Sequence, residues 1–148
     1  MTDELAQEFA RICTETLGFL KDYGFGGGSL SKVPPVYQVS FQGKALVIEC
    51  IWDDREDHLE MKVALLRDGR APAQYAVDES GKRVRAHLLH ILLGLGVRDV
   101  AHSPVLRGAP LPERWRLELG DYARLLKLYG GDILGEDPGV LDKVYRSH

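Results

Sequence analysis

The stretch 36-VYQVSFQGKALVIECIWDDREDHLEMKVALL-66 reads as a three-stranded antiparallel meander with one apolar face. If 53-DDREDH-58 closes as a hairpin with Arg55 and Glu56 at its tip, Trp52 opposes Leu59, Cys50 opposes Met61, Ile48 opposes Val63 and Leu46 opposes Leu65. Residues paired across an antiparallel ladder share a face, so these side chains make one surface. A first turn at Gly43-Lys44 (type II′) or at Gln42-Gly43 (nearer type I′) adds Tyr37, Val39 and Phe41 to it. The two turns differ by a two-residue slide, which preserves the facing parity. The opposite face is mixed: Val36, Val47 and Ile51 stand among Gln38, Ser40, Glu49, Asp53, His58, Glu60 and Lys62. Glu49 with Lys62, and Asp53 with His58, are expected as exposed cross-strand pairs.

The flanks supply helices to cover the apolar face. Leu5, Phe9, Ile12, Cys13, Leu17, Leu20 and Tyr23 recur at helical spacing, which predicts an amphipathic helix over residues 3–23 with Thr2 as N-cap and Gly24 as stop. The glycine-rich run 26–35 reads as a connector. Residues 72–79 are compatible with a fourth strand or with a loop. A second helix is expected over 81–95, with Val84, Leu88, Ile91, Leu92 and Leu95 inward, and 102–113 reads as a proline-rich loop. Trp115, Leu119, Tyr122, Leu126 and Tyr129 mark a third helix, continuous or divided in two at Gly120, and a short final helix is expected over 140–145. The prediction is one α+β domain over residues 1–148, with an N-terminal helix, a meander, and two to three C-terminal helices packed on the sheet.

The chain has 148 residues, 45% of them hydrophobic and 28% charged, so one packed core is expected without disulfides or a structural metal. A net charge of −3 argues against nucleic acid as a partner, since that calls for a basic patch or stripe. The acidic start Thr2-Asp3-Glu4 is unlike a signal peptide, and 88-LLHILLGLGV-97 is too short to span a membrane. Cys13 and Cys50 fall on core faces of different elements and read as buried free thiols in a reducing cytoplasm.

Candidate chemistry is sparse. Gly26-Gly27-Gly28-Ser29 follows a helix and precedes a strand, the reverse of a phosphate loop. The acidic tip Asp53, Asp54, Glu56, Asp57 lacks the ligand spacing of a calcium loop and encloses Arg55. His87 and His90 stand three apart on the expected second helix, but no third ligand accompanies them there, so no metal and no cofactor is implied. Cys50 and His58 fall on opposite sheet faces, which separates a nucleophile from its base. Lys82, Arg83 and Arg85 crowd the expected start of the second helix against its dipole. That points either to local compensation by Asp78 and Glu79 or to an anionic ligand or acidic partner.

The segments 17-LGFLKDYGF-25, 45-ALVIECIWDDRE-56 and 129-YGGDILGEDPGVLDKVY-145, in the order helix, meander, helices, resemble small bacterial proteins of the immunity type. That resemblance implies binding and neutralising a cognate toxin, and it offers no functional residue to carry over. The element order is also similar to type III secretion chaperones, acidic dimers that bind extended effector segments, which would imply an adaptor and makes a homodimer compatible. The loop at 102–113 and the extra C-terminal helices fit that second family poorly. With no catalytic constellation to assemble, the expected function is a non-catalytic protein-binding module rather than an enzyme, with Asp53, Asp54, Glu56 and Asp57 facing a protein partner. The alternative is a small enzyme or anion-binding protein that uses Lys82, Arg83 and Arg85 with the rest of the 82–90 region.

Overall fold

In the computed structural model, which describes residues 1–73, 76–98, 100 and 108–144, Trp52 stands opposite Leu59, Cys50 opposite Met61, Ile48 opposite Val63 and Leu46 opposite Leu65. Tyr37, Val39 and Phe41 face Trp52, Cys50 and Ile48 from the preceding strand. The meander thus has the expected parity, and all these side chains belong to one buried cluster. The architecture is α+β: α1 (Asp3–Thr16), then β1 (Ser29–Val33), β2 (Val36–Gln42), β3 (Leu46–Asp53), β4 (His58–Leu65) and β5 (Arg85–His87), then α2 (Leu88–Gly94), α3 (Leu111–Tyr129) and α4 (Gly131–Leu134). The five strands form one antiparallel sheet in chain order.

The apolar face is closed by helices through aromatic contacts. Trp115 of α3 meets Trp52 edge-on at 5.7 Å and Phe9 of α1 at 5.0 Å, so one ring joins both helices to the sheet. Such T-shaped pairs add to simple area burial. From α2, Leu88, Ile91 and Leu92 complete the same core.

The structure departs from the sequence reading where propensity and tertiary pairing disagree. The first helix is α-helical only to Thr16. It continues as a 3₁₀ segment, Gly18–Tyr23, because Gly18 weakens the α-helix, while Leu17 and Leu20 remain buried. Thr2 caps α1 by accepting from Leu5 N at 3.1 Å, and Gly24 ends the segment at φ 93°. The connector at 26–35 contains β1, which pairs with β2 across a turn with a cis Pro34–Pro35 bond. Its polar residues Ser29, Ser31 and Lys32 suit an exposed edge and gave no alternating pattern to read.

The β2–β3 loop is neither of the expected turns. Gly43 N donates to Leu46 O at 2.8 Å, which puts Lys44 and Ala45 at the tip, slid from the predicted positions with parity intact. The cause lies far along the chain: Glu136 Oε1 accepts from Ala45 N at 2.9 Å and Leu46 N at 3.1 Å. A Cβ at Gly43 would overlap that carboxylate, so glycine serves close approach here rather than turn conformation.

The second helix is shorter than predicted. Residues 85–87 pair with β4 as β5, and α2 begins only at Leu88. Unpaired N–H and C=O groups on that edge of β4 favour an extended partner over another turn of helix. At 72–79, Tyr75 lies outside the described residues, and Val77 makes one isolated bridge to Arg83 rather than a strand. Helix α3 runs unbroken through Gly120, since burying Trp115, Leu119, Tyr122 and Leu126 outweighs the roughly 1 kcal/mol that glycine costs a helix. The final element is a 3₁₀ segment, Pro138–Lys143, and Tyr145 lies outside the described residues, as do 102–107 of the proline-rich loop. No helix among the described residues is long and apolar enough to cross a membrane.

Candidate functional site

Helices cover one face of the sheet; the other carries the polar residues. Glu49, expected to be an exposed partner of Lys62, is 1% exposed. It does stand across from Lys62, but its carboxylate is held by Arg85 of β5. Arg85 Nε donates to Glu49 Oε1 at 2.7 Å and Arg85 Nη2 to Oε2 at 2.9 Å. Arg85 also donates to the carbonyls of Ala73 at 2.6 Å and Pro72 at 3.1 Å, which ties the 71–73 segment across this face. Gln38 Nε2 completes the network, donating to Glu49 Oε2 at 3.2 Å and to Ser40 Oγ at 2.9 Å. A buried bidentate pair with its remaining donors used this way is a satisfied structural clamp. Beside it, Val47, Ala64 and Leu66 form a small second apolar cluster.

This arrangement relocates the three cations of the expected helix start. Arg85 is consumed by the clamp. Lys82 and Arg83 precede β5 rather than sitting in α2, so no helix dipole opposes them. The loop before them is organised by Asp78, whose carboxylate accepts from Ser80 N, Ser80 Oγ and Lys82 N and pairs with Arg67. The Ser80 hydroxyl above all, then Arg67 and the loop amides, hold Asp78 well below the usual carboxylate range. Lys82 and Arg83 border a small cavity of about 140 Å³ together with Asp142.

At the hairpin tip, three of the four carboxylates expected to face a partner are hydrogen-bonded within the chain. Asp53 Oδ1 accepts from Arg55 N at 3.0 Å and Glu56 N at 3.1 Å, an Asx-type turn. Asp54 accepts from Trp52 Nε1 at 3.3 Å and the Met1 amino group at 3.2 Å. Asp57, at φ 53°, accepts from Arg114 Nη1 at 2.7 Å, and that guanidinium lies over the Trp52 ring at 5.5 Å. Glu56 projects outward, its side chain 67% exposed beside Arg55.

Between tip and clamp the second face opens into a groove of about 480 Å³. Val36 and Ile51 supply apolar wall, Asp53, Glu60 and Lys62 line it, and residues 71–73 form its far side. Glu60 sits 3.4 Å from Lys62 and 3.7 Å from His58. Cys50 is fully buried on the opposite face from His58, and the Cys13 thiol is pushed up by burial, then by its contact with Cys50.

His87 and His90 lie at the β5–α2 junction with ring centroids 5.7 Å apart, and no group of three metal-ligating side chains occurs among the described residues. His87 N-caps α2, its Nδ1 accepting from Leu89 N at 3.0 Å. Burial lowers its pKa to about 4.

No family model, curated protein or solved structure matches this chain.

Three features escaped the sequence reading: the Glu49–Arg85 clamp, the Asp57–Arg114 tie and the Glu136 clip. Each joins residues at least 36 positions apart, beyond the reach of periodicity. One local signal existed for the clamp, a lone carboxylate inside the apolar run 46-LVIECIW-52.

Proposed function

We propose that this chain is a non-catalytic protein-binding module of the immunity kind, which captures and neutralises a cognate toxin in the cytoplasm. The partner is received on the second face of the sheet beside the 53–58 hairpin. The observation that carries this reading is the open groove walled by Val36 and Ile51 above a polar floor whose groups already satisfy one another. Glu49, Arg85 and Gln38 are already engaged with one another and with the Pro72 and Ala73 carbonyls, which favours a binding surface over a catalytic one there. A groove with apolar wall and a mixed-charge rim suits a polypeptide segment with apolar anchors. Asp53, Glu56 and Glu60 along that side favour a basic one, without a nucleic-acid-like requirement for a cationic surface.

Ile51 and Glu56 are the residues to alter, because Asp54 also holds Trp52 and its reversal would disturb the fold. Affinity capture from the native host, followed by titration of the captured protein, compares Ile51→Arg and Glu56→Lys with Leu117→Arg on the outer side of α3. The expected outcome is a loss of affinity of roughly tenfold or more for the first two, none for the third, and a wild-type association rate that falls with salt. Equal affinity for all three variants would remove the partner from this face.

A further inference from the structure

His87 closes the end of β5 and opens α2, and its two ring nitrogens have different partners. Nδ1 lies 3.0 Å from Leu89 N, a backbone donor, so Nδ1 must be the unprotonated, accepting nitrogen. The ring proton is then on Nε2, which faces the Tyr122 hydroxyl of α3 at 3.4 Å. Only the neutral imidazole can make this cap, because both nitrogens of an imidazolium are donors. The usual N-cap residues, Ser, Thr, Asp and Asn, keep an acceptor at every pH near neutrality; histidine does not.

We propose that α2 is an acid-released element: a proton on His87 Nδ1 abolishes the N-cap and frees the first turn of α2 from β5. The charged groups facing the ring set its threshold. From β4 these are Glu60, which favours the imidazolium, and His58 and Lys62, which oppose it; His90 of α2 opposes it as well. From α3 comes Tyr122, whose hydroxyl stays neutral because burial raises its pKa, with Glu118 beside it. Burial is the largest influence and also favours the neutral ring. The direction of the effect follows from linkage. An imidazole of ordinary pKa about 6.5 in the released turn and about 4 in the capped one binds more protons when released. The cap is therefore fully present above about pH 6.5 and is lost as pH falls toward 4.

Hydrogen exchange of individual amides, normalised to the intrinsic rate at each pH, tests this. Between pH 6.5 and 4.5, protection at Leu89, His90 and Ile91 should fall by roughly tenfold or more relative to amides in the centre of α3. His87→Asn keeps an acceptor at the cap and does not titrate, so its α2 protection should be independent of pH. A wild-type α2 that follows α3 throughout, or an equal fall in His87→Asn, would overturn the proposal. If His87→Asn does not fold, the wild-type protein still decides. The His87 ring nitrogens should report the Nε2–H tautomer at pH 7, and the Leu89 amide shift should titrate with the midpoint of the ring. The opposite tautomer, or unrelated midpoints, would be equally fatal.

Discussion

Glu49 and Arg85 are buried at 1% and 9% exposure, and each makes the other tolerable. A charge left without its partner in such a place typically costs about 3–5 kcal/mol, whereas replacing the pair by apolar residues of similar size is often neutral. Glu49→Ala should therefore lose stability on that scale in denaturant unfolding, and Glu49→Leu combined with Arg85→Met should recover most of it. A loss below about 1 kcal/mol in the single variant would mean that water reaches the pair and that the clamp is loose. Arg114 has a similar position: 4% exposed, it spends its charge on Asp57 and its flat face on Trp52. The charge of the tip is thus largely answered by the rest of the chain, which leaves Glu56 as the carboxylate best placed to meet a partner.

Strand parity is a property of elements, and two substitutions on neighbouring strands report it. Ile48→Ala empties a fully buried site facing Val63 and should cost about 2–5 kcal/mol; Glu60→Ala, on the groove side, should stay within about 0.5 kcal/mol. Comparable losses at both would contradict the register. The β2–β3 turn depends on the C-terminal segment, so Gly43→Ala and Glu136→Ala should each weaken the protein by about 1–3 kcal/mol through unsatisfied Ala45 and Leu46 amides. Their effects should not add, because either change removes the same clip. An additive double mutant would show that Glu136 has no part in setting the turn.

Across the whole molecule the two faces of the sheet have different tasks. Trp52, Trp115 and Phe9 bind α1, α3 and the sheet into the main core. Among the described residues, the other face carries the small Val47, Ala64 and Leu66 cluster, the polar clamp, the strap at 71–73 and the open groove beside them. Burial of this open face by a partner should raise the melting temperature with the logarithm of ligand excess over Kd, while leaving the acid response of α2 in place. A complex whose melting temperature equals that of the free protein at saturating partner would mean that the partner binds the unfolded chain equally well.

The meander and its core face were legible in residues 36–66 because side-chain direction alternates strictly along a strand, so apolar spacing alone sets which face is buried. Helix α1 and the existence of α3 were legible for the same reason at a period of 3.6. Tertiary structure decided what short-range patterns do not encode. Residues 85–87 form a strand because β4 offered an unpaired edge and Glu49 a buried charge. The β2–β3 turn sits at Lys44-Ala45 because Glu136 arrives there, 90 residues later. Periodicity reports the environment averaged over an element; a single hydrogen bond between distant residues has no period, and only the folded chain brings its two ends together.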